Sequence, residues 1–134
     1  MITRLDHVAL MVRDLDAAIK NVGEHLGLSV EKTSYVPSFH CRIAFIPCGN
    51  VMLELVQPTA PGSGTQWLKR HGEGLHHLCF AVDDLDSAYH QAQRDGIARS
   101  DGIRLGGEGK NVFFLENGLL LNSVIEFVQE DSEC

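Results

Sequence analysis

The chain is short of positive charge: 11 Lys and Arg stand against 18 Asp and Glu, a formal net charge of −7. Nucleic-acid footprints and anionic membrane surfaces both need clustered Lys and Arg, so neither is an expected partner. No apolar run approaches the length of a transmembrane helix. In the opening MITRLDHVALMVRDLD, the residues Asp6, His7 and Arg13 interrupt the apolar stretch. No signal-peptide h-region forms there, and a cytoplasmic location is expected. Cysteine is sparse too. Cys41, Cys48, Cys79 and Cys134 show no CxxC spacing, which excludes a disulfide framework and leaves thiols in a reducing compartment. The segment RLGGEGK (104–110) lacks the P-loop's spacing and its Lys-Ser/Thr ending, so it reads as a turn between strands. What remains is an ordinary globular composition, 44% hydrophobic and 22% charged over 134 residues, long enough for one domain with a sizeable core.

The chain also contains an internal repeat. HVALMVRDLDAA (7–18) and HLCFAVDDLDSA (77–88) are identical at six of twelve positions with an offset of 70. LELVQ (53–57) echoes in IEFVQ (125–129) at Glu, Val and Gln, now with an offset of 72. One or two loop insertions account for the drift. The chain therefore reads as two fused copies of one module, residues 1–57 and 75–134, joined by a linker at 58–74 within a single domain.

Each copy opens on an alternating apolar strand, 3–12 and 75–82. Asp14 and Asp84 follow at N-cap positions, and Gly27 and Gly96 sit where helices stop. Between them Leu15, Ile19, Val22 and Leu26, and Leu85, Tyr89 and Ala92, keep a helical rhythm. Three further strands are expected in each half, at 28–36, 40–47 and 50–57 and at 97–105, 110–116 and 119–129. A short helix is expected at 64–70. The fold class is α+β: two βαβββ modules with pseudo-twofold symmetry forming a curved mixed sheet.

Strand parity then separates the side chains. His7, Ala9 and Met11 share one face, and His77, Cys79 and Ala81 share another. The bulkier aliphatic residues between them must pack under the helices, which leaves the histidine faces toward an open concavity. Glu54 and Glu126 interrupt apolar strands, and a carboxylate buried there needs a positive partner. The four residues are related in pairs by the repeat, so they converge on one divalent cation. Mixed N/O ligation of this kind suits Co, Zn, Ni, Mn or Fe(II). The repeat also selects His77 rather than its neighbour His76.

The stretches DHVALMVRDLDAA, LELVQP, GEGLHHLCFAVDDLDSA and VIEFVQ resemble the vicinal oxygen chelate superfamily (glyoxalase/bleomycin resistance/dioxygenase), whose members pair βαβββ modules around a metal. TQWLKRHGEGLHHLCFAVDDLDSA and RLGGEGKNVFFLEN are similar to the methylmalonyl-CoA epimerases within it. The resemblance implies metal ligands at His7, Glu54, His77 and Glu126, with Glu126 also moving a proton. It implies an epimerase or isomerase that works through a metal-stabilised enolate on an acyl-CoA or other thioester. Two departures stand out. PSFHCRIAFI (37–46) has no Asp or Glu where the epimerases carry a second acid/base, leaving His40 or Arg42 to line the cavity there, and ENGLLLNS replaces their usual segment before the last strand. A glyoxalase I-like lyase with the same ligand set and a non-catalytic binding protein of the same fold are the rival readings. Lys69, Arg70 and His71 could meet a CoA phosphate. A homodimer is expected, because an open sheet with exposed edges often finds a partner.

Overall fold

The computed structural model of the chain describes residues 1–121 and 123–131. Among these are eight strands and three helices. They divide into two compact units, His7–His76 and Met1–Asp6 taken with the chain from His77 onward.

The His7–His76 unit contains most of β1 (Ile2–Met11), then α1 (Leu15–Leu26), β2 (Lys32–Val36), β3 (Cys41–Cys48), β4 (Val51–Pro58) and α2 (Ser63–His71). Its strands lie in the order β1–β4–β3–β2, with β1 and β4 parallel and the other pairs antiparallel. The second unit carries β5 (Gly74–Val82), α3 (Leu85–Arg94), β6 (Arg104–Leu105), β7 (Asn111–Phe114) and β8 (Val124–Gln129). Its order is β5–β8–β7–β6, again with the first pair parallel and the rest antiparallel. Each unit is a βαβββ module, and the two share one topology.

The helices begin where the sequence places their caps. Asp14 and Asp84 are extended, and each accepts a 3.1 Å hydrogen bond from a backbone N–H three residues on, at Ala17 and Ser87. Gly27 ends α1 at φ 68°, a conformation glycine adopts without a Cβ penalty. Leu15 of α1 packs with Val12, Ala44, Ile46 and Leu55, and Leu85 and Ala92 of α3 pack with Val82, Phe113, Leu115 and Ile125.

Three strands are shorter than the periodicity suggests. β2 starts only at Lys32 and ends in a 3₁₀ turn at Pro37–Phe39, where proline contributes no N–H and His40 turns to φ 49°. Of 97–105, only Arg104–Leu105 and an isolated bridge at Ala98 pair as strand. The Ser-Asp-Gly stretch folds into a turn instead, with the Gly102 N–H donating to the Arg99 carbonyl. In 119–129 the strand begins at Val124, after exposed Leu119, Leu120 and Leu121; Asn122 lies outside the described residues. In RLGGEGK the first two residues form β6 and 106–110 make the turn to β7. A Cβ at Gly106 would meet Val112 at 2.9 Å, so the strand can approach only without a side chain there.

The histidine face of the first unit is fuller than parity alone suggests. Ala9 and Met11 cluster with Val36, Cys41, Ile43, Phe45 and Val56, and Leu68 and Trp67 of α2 pack against them. The linker helix folds back and covers that end of the face.

Candidate metal centre

Parallel pairing puts each histidine in reach of its glutamate. Ala9 pairs with Glu54 between β1 and β4, and Cys79 pairs with Glu126 between β5 and β8. His7 and His77 stand two residues earlier on the same faces. The register is identical in the two modules, and in each the histidine reaches its glutamate, though through a different ring nitrogen. His7 Nδ1 lies 3.0 Å from Glu54 Oε2, and His77 Nε2 lies 3.1 Å from Glu126 Oε1. Phenylalanines face both carboxylates from the antiparallel side, Phe45 across from Glu54 and Phe114 across from Glu126. The Phe114 ring meets the His77 imidazole edge-on at 5.7 Å.

These four are the only buried polar or charged residues among those described, with exposures of 6–8%. Burial of carboxylates on that scale is costly without positive charge nearby. The donor chemistry of each pair fits a divalent cation. Two ligands about 2.1 Å from one ion and at right angles to each other lie about 3.0 Å apart, the separation each pair already has.

His76 takes no part in either pair. It is half-buried, and its ring meets Trp67 of α2 at 4.9 Å. Arg42, considered above for the site, pairs with Gln57 in the sheet and so lies on the strand face opposite Glu54, near Asp16 at 3.6 Å. His40 is exposed beyond the start of β3. The β3 positions on the Glu54 side are Cys41, Ile43, Phe45 and Pro47, which include no carboxylate and no imidazole. Lys69, Arg70 and His71 form the exposed last turn of α2, where positive charge complements the helix dipole.

Sequence reasoning left two features unassigned. The glutamines that end LELVQ and IEFVQ accept hydrogen bonds from the first N–H of each helix, Gln57 from Leu15 at 2.8 Å and Gln129 from Leu85 at 2.9 Å. Their recurrence in the repeat was the available signal. The cluster of Arg99, Asp101 and Arg104 next to Phe114 was the other, and nothing in the linear pattern marks it.

The Glyoxalase/Bleomycin resistance protein/Dioxygenase superfamily model matches residues 6–114. The chain is 33% identical over 129 residues to the ethylmalonyl-CoA/methylmalonyl-CoA epimerase of Cereibacter sphaeroides, covering 90% of this chain and 96% of that protein. It is 33% identical over 115 residues to the mitochondrial methylmalonyl-CoA epimerase of Mus musculus, covering 84% of this chain and 65% of that protein. Among solved structures, the Streptomyces coelicolor methylmalonyl-CoA epimerase in complex with 2-nitronate-propionyl-CoA superimposes with a TM-score of 0.90. It is 27% identical and covers 98% of this chain and 97% of that one. With repeat, topology and relatives in agreement, the chain belongs to the glyoxalase/bleomycin resistance protein/dioxygenase superfamily and is an enzyme of epimerase type.

Proposed function

We propose that the chain is a divalent-metal-dependent epimerase of methylmalonyl-type acyl-CoA thioesters, with His7, Glu54, His77 and Glu126 as the ligands of one cation. The observation that carries this reading is the confinement of buried charge, among the described residues, to two repeat-related histidine–glutamate pairs. When bound, the cation withdraws charge from a substrate carbonyl and acidifies the neighbouring C–H. His7 and His77 present imidazole nitrogens as donors, and the flanking apolar strands keep water from the carboxylates. Glu126 takes the α-proton onto a carboxylate oxygen while the C–H electron pair moves into the thioester carbonyl; a solvent proton added to the opposite face of the flattened centre inverts it, and Glu126 passes its own proton to solvent. The enzyme works in the cytoplasm as a homodimer, with β2, an edge strand of its unit, among the edges a second copy can reach.

The test is solvent-deuterium exchange at the α-carbon of methylmalonyl-CoA by the cobalt-loaded protein. Exchange is expected to stop on chelation, return with metal, and fall by about 100-fold or more in Glu126→Gln. Undiminished exchange by metal-free protein would sink the metal-dependent mechanism. A glyoxalase I-like lyase is the second reading, because position 54 holds a carboxylate paired with histidine just as position 126 does. Turnover of a glutathione hemithioacetal with none of the methylmalonyl thioester would establish that reading instead.

A further inference from the structure

We infer that the cavity at the β2 edge, beside Tyr35 and Arg42, receives the phosphorylated nucleotide end of the acyl-CoA. The inference rests on the acyl-CoA reading above and adds the place where the carrier, rather than the acyl group, is held.

The cavity measures about 450 Å³ and is lined by Thr33, Ser34, Tyr35, Arg42 and Thr59. That is an ordinary size for a small-molecule site. Register explains which side chains meet there. Tyr35 faces Arg42 across the β2–β3 pair, and Thr33 stands on the same face two residues earlier. The Thr59 N–H continues the β3–β4 pairing by donating to the His40 carbonyl at 2.8 Å, which puts Thr59 on the Arg42 face too. Ser34 faces Ile43 and so belongs to the opposite face, the one that carries Glu54. The cavity therefore takes in residues of both faces at the strand where the sheet of this unit ends. Glu54 faces Phe45 and Phe45 faces Lys32. Two strand spacings put β2 about 10 Å from the glutamate, with Tyr35 about 10 Å farther along. A pantetheine arm has the backbone length of about four extended residues, about 14 Å, and spans that diagonal. The nucleotide then falls at the β2 edge.

The lining suits a phosphate ester beside an aromatic base. It offers one guanidinium and four hydroxyls, and no acidic side chain. Arg42 has a single ion-pair partner among the described residues, Asp16 at 3.6 Å, and the two side chains are 40% and 81% exposed. A pair so long and so exposed contributes little. A phosphate dianion makes shorter, charge-assisted bonds to a guanidinium fork and displaces Asp16 from it. The exposed ring of Tyr35 supplies a face on which a base can stack. Tethering β3 to α1 explains the Arg42–Asp16 pair, but it requires neither the exposed ring nor the hydroxyls around the cavity. Lys69 and Arg70 carry their charge on an exposed helix turn instead, and serve as the control.

The experiment is calorimetric binding of propionyl-CoA and propionyl-pantetheine, which differ by the nucleotide end alone, to metal-loaded wild type, Arg42→Gln, Asp16→Asn and Arg70→Gln. Wild type is expected to prefer propionyl-CoA by about tenfold or more. Arg42→Gln should lose most of that preference while its propionyl-pantetheine affinity stays within about threefold. Asp16→Asn, which removes the competing carboxylate, should raise propionyl-CoA affinity by about twofold to fivefold, and Arg70→Gln should match wild type. Circular dichroism melts confirm folding. Preference retained in folded Arg42→Gln overturns the inference, and so does a loss that follows Arg70→Gln instead. If Arg42→Gln does not fold, Asp16→Asn carries the test, and an unchanged propionyl-CoA affinity there overturns the inference. AMP bound through Arg42 while the two thioesters bind alike marks a free-nucleotide site and likewise overturns it. Wild type binding both thioesters without preference removes this inference and leaves the acyl-thioester reading standing. Wild type binding neither removes that reading as well.

Discussion

Histidine pairs such as LHHL test what a residue's position alone can say. His76 and His77 are chemically identical and adjacent, yet strand parity sends them to opposite faces, and the match to His7 selects His77. His77 is buried 3.1 Å from Glu126, while His76 is half-buried. What parity does not supply is a role for His76, whose contact with Trp67 depends on α2 folding back. His77→Ala is expected to lose bound metal, and His76→Ala to retain it. Plasma emission analysis after dialysis against trace cobalt measures both. The reverse pattern would break the repeat argument itself.

Local chemistry decides how the elements start and stop. The caps at Asp14 and Asp84 and the stop at Gly27 were readable, because each acts within a few residues of its own helix. The strands at 97–105 and 119–129 were not, because alternating apolar residues there meet turn formers whose local hydrogen bonds compete with the ladder. Gln57 and Gln129 join element to element, since each strand's last polar side chain accepts the N–H that opens the neighbouring helix. Gln129 also donates to the Val82 and Asp83 carbonyls. Replacing either glutamine with leucine should lower stability by about 1–2 kcal/mol, with Gln129 the larger loss. Urea midpoints of the two variants measure this, and unchanged midpoints would show the contacts to be incidental.

Across the molecule, stability in acid is tied to carboxyls that folding holds below their ordinary values. Asp84 is held down by the backbone N–H of Ser87, Asp101 by the Arg99 side chain, and Glu130 by the Thr3 hydroxyl. A carboxyl depressed in the folded state adds stability above its unfolded pKa, and that stability is lost as pH falls through the lower, folded value. From these groups the urea midpoint should hold above the ordinary values of 3.8 for Asp and 4.5 for Glu and decline below them. Asp101→Asn should shallow that decline, and an unchanged acid slope in a pH series of urea melts would refute the assignment. Sequence by itself determined the two βαβββ modules, their caps and the four residues of the candidate centre, because periodicity, capping and repetition are local or self-referential signals. Only tertiary structure decided which nitrogen meets which oxygen, how α2 covers the His7 face, and that Arg99 of a turn stacks on Phe114 while sharing Asp101 with Arg104 of a two-residue strand. Those outcomes depend on contacts between segments that share no pattern, and no linear spacing records them.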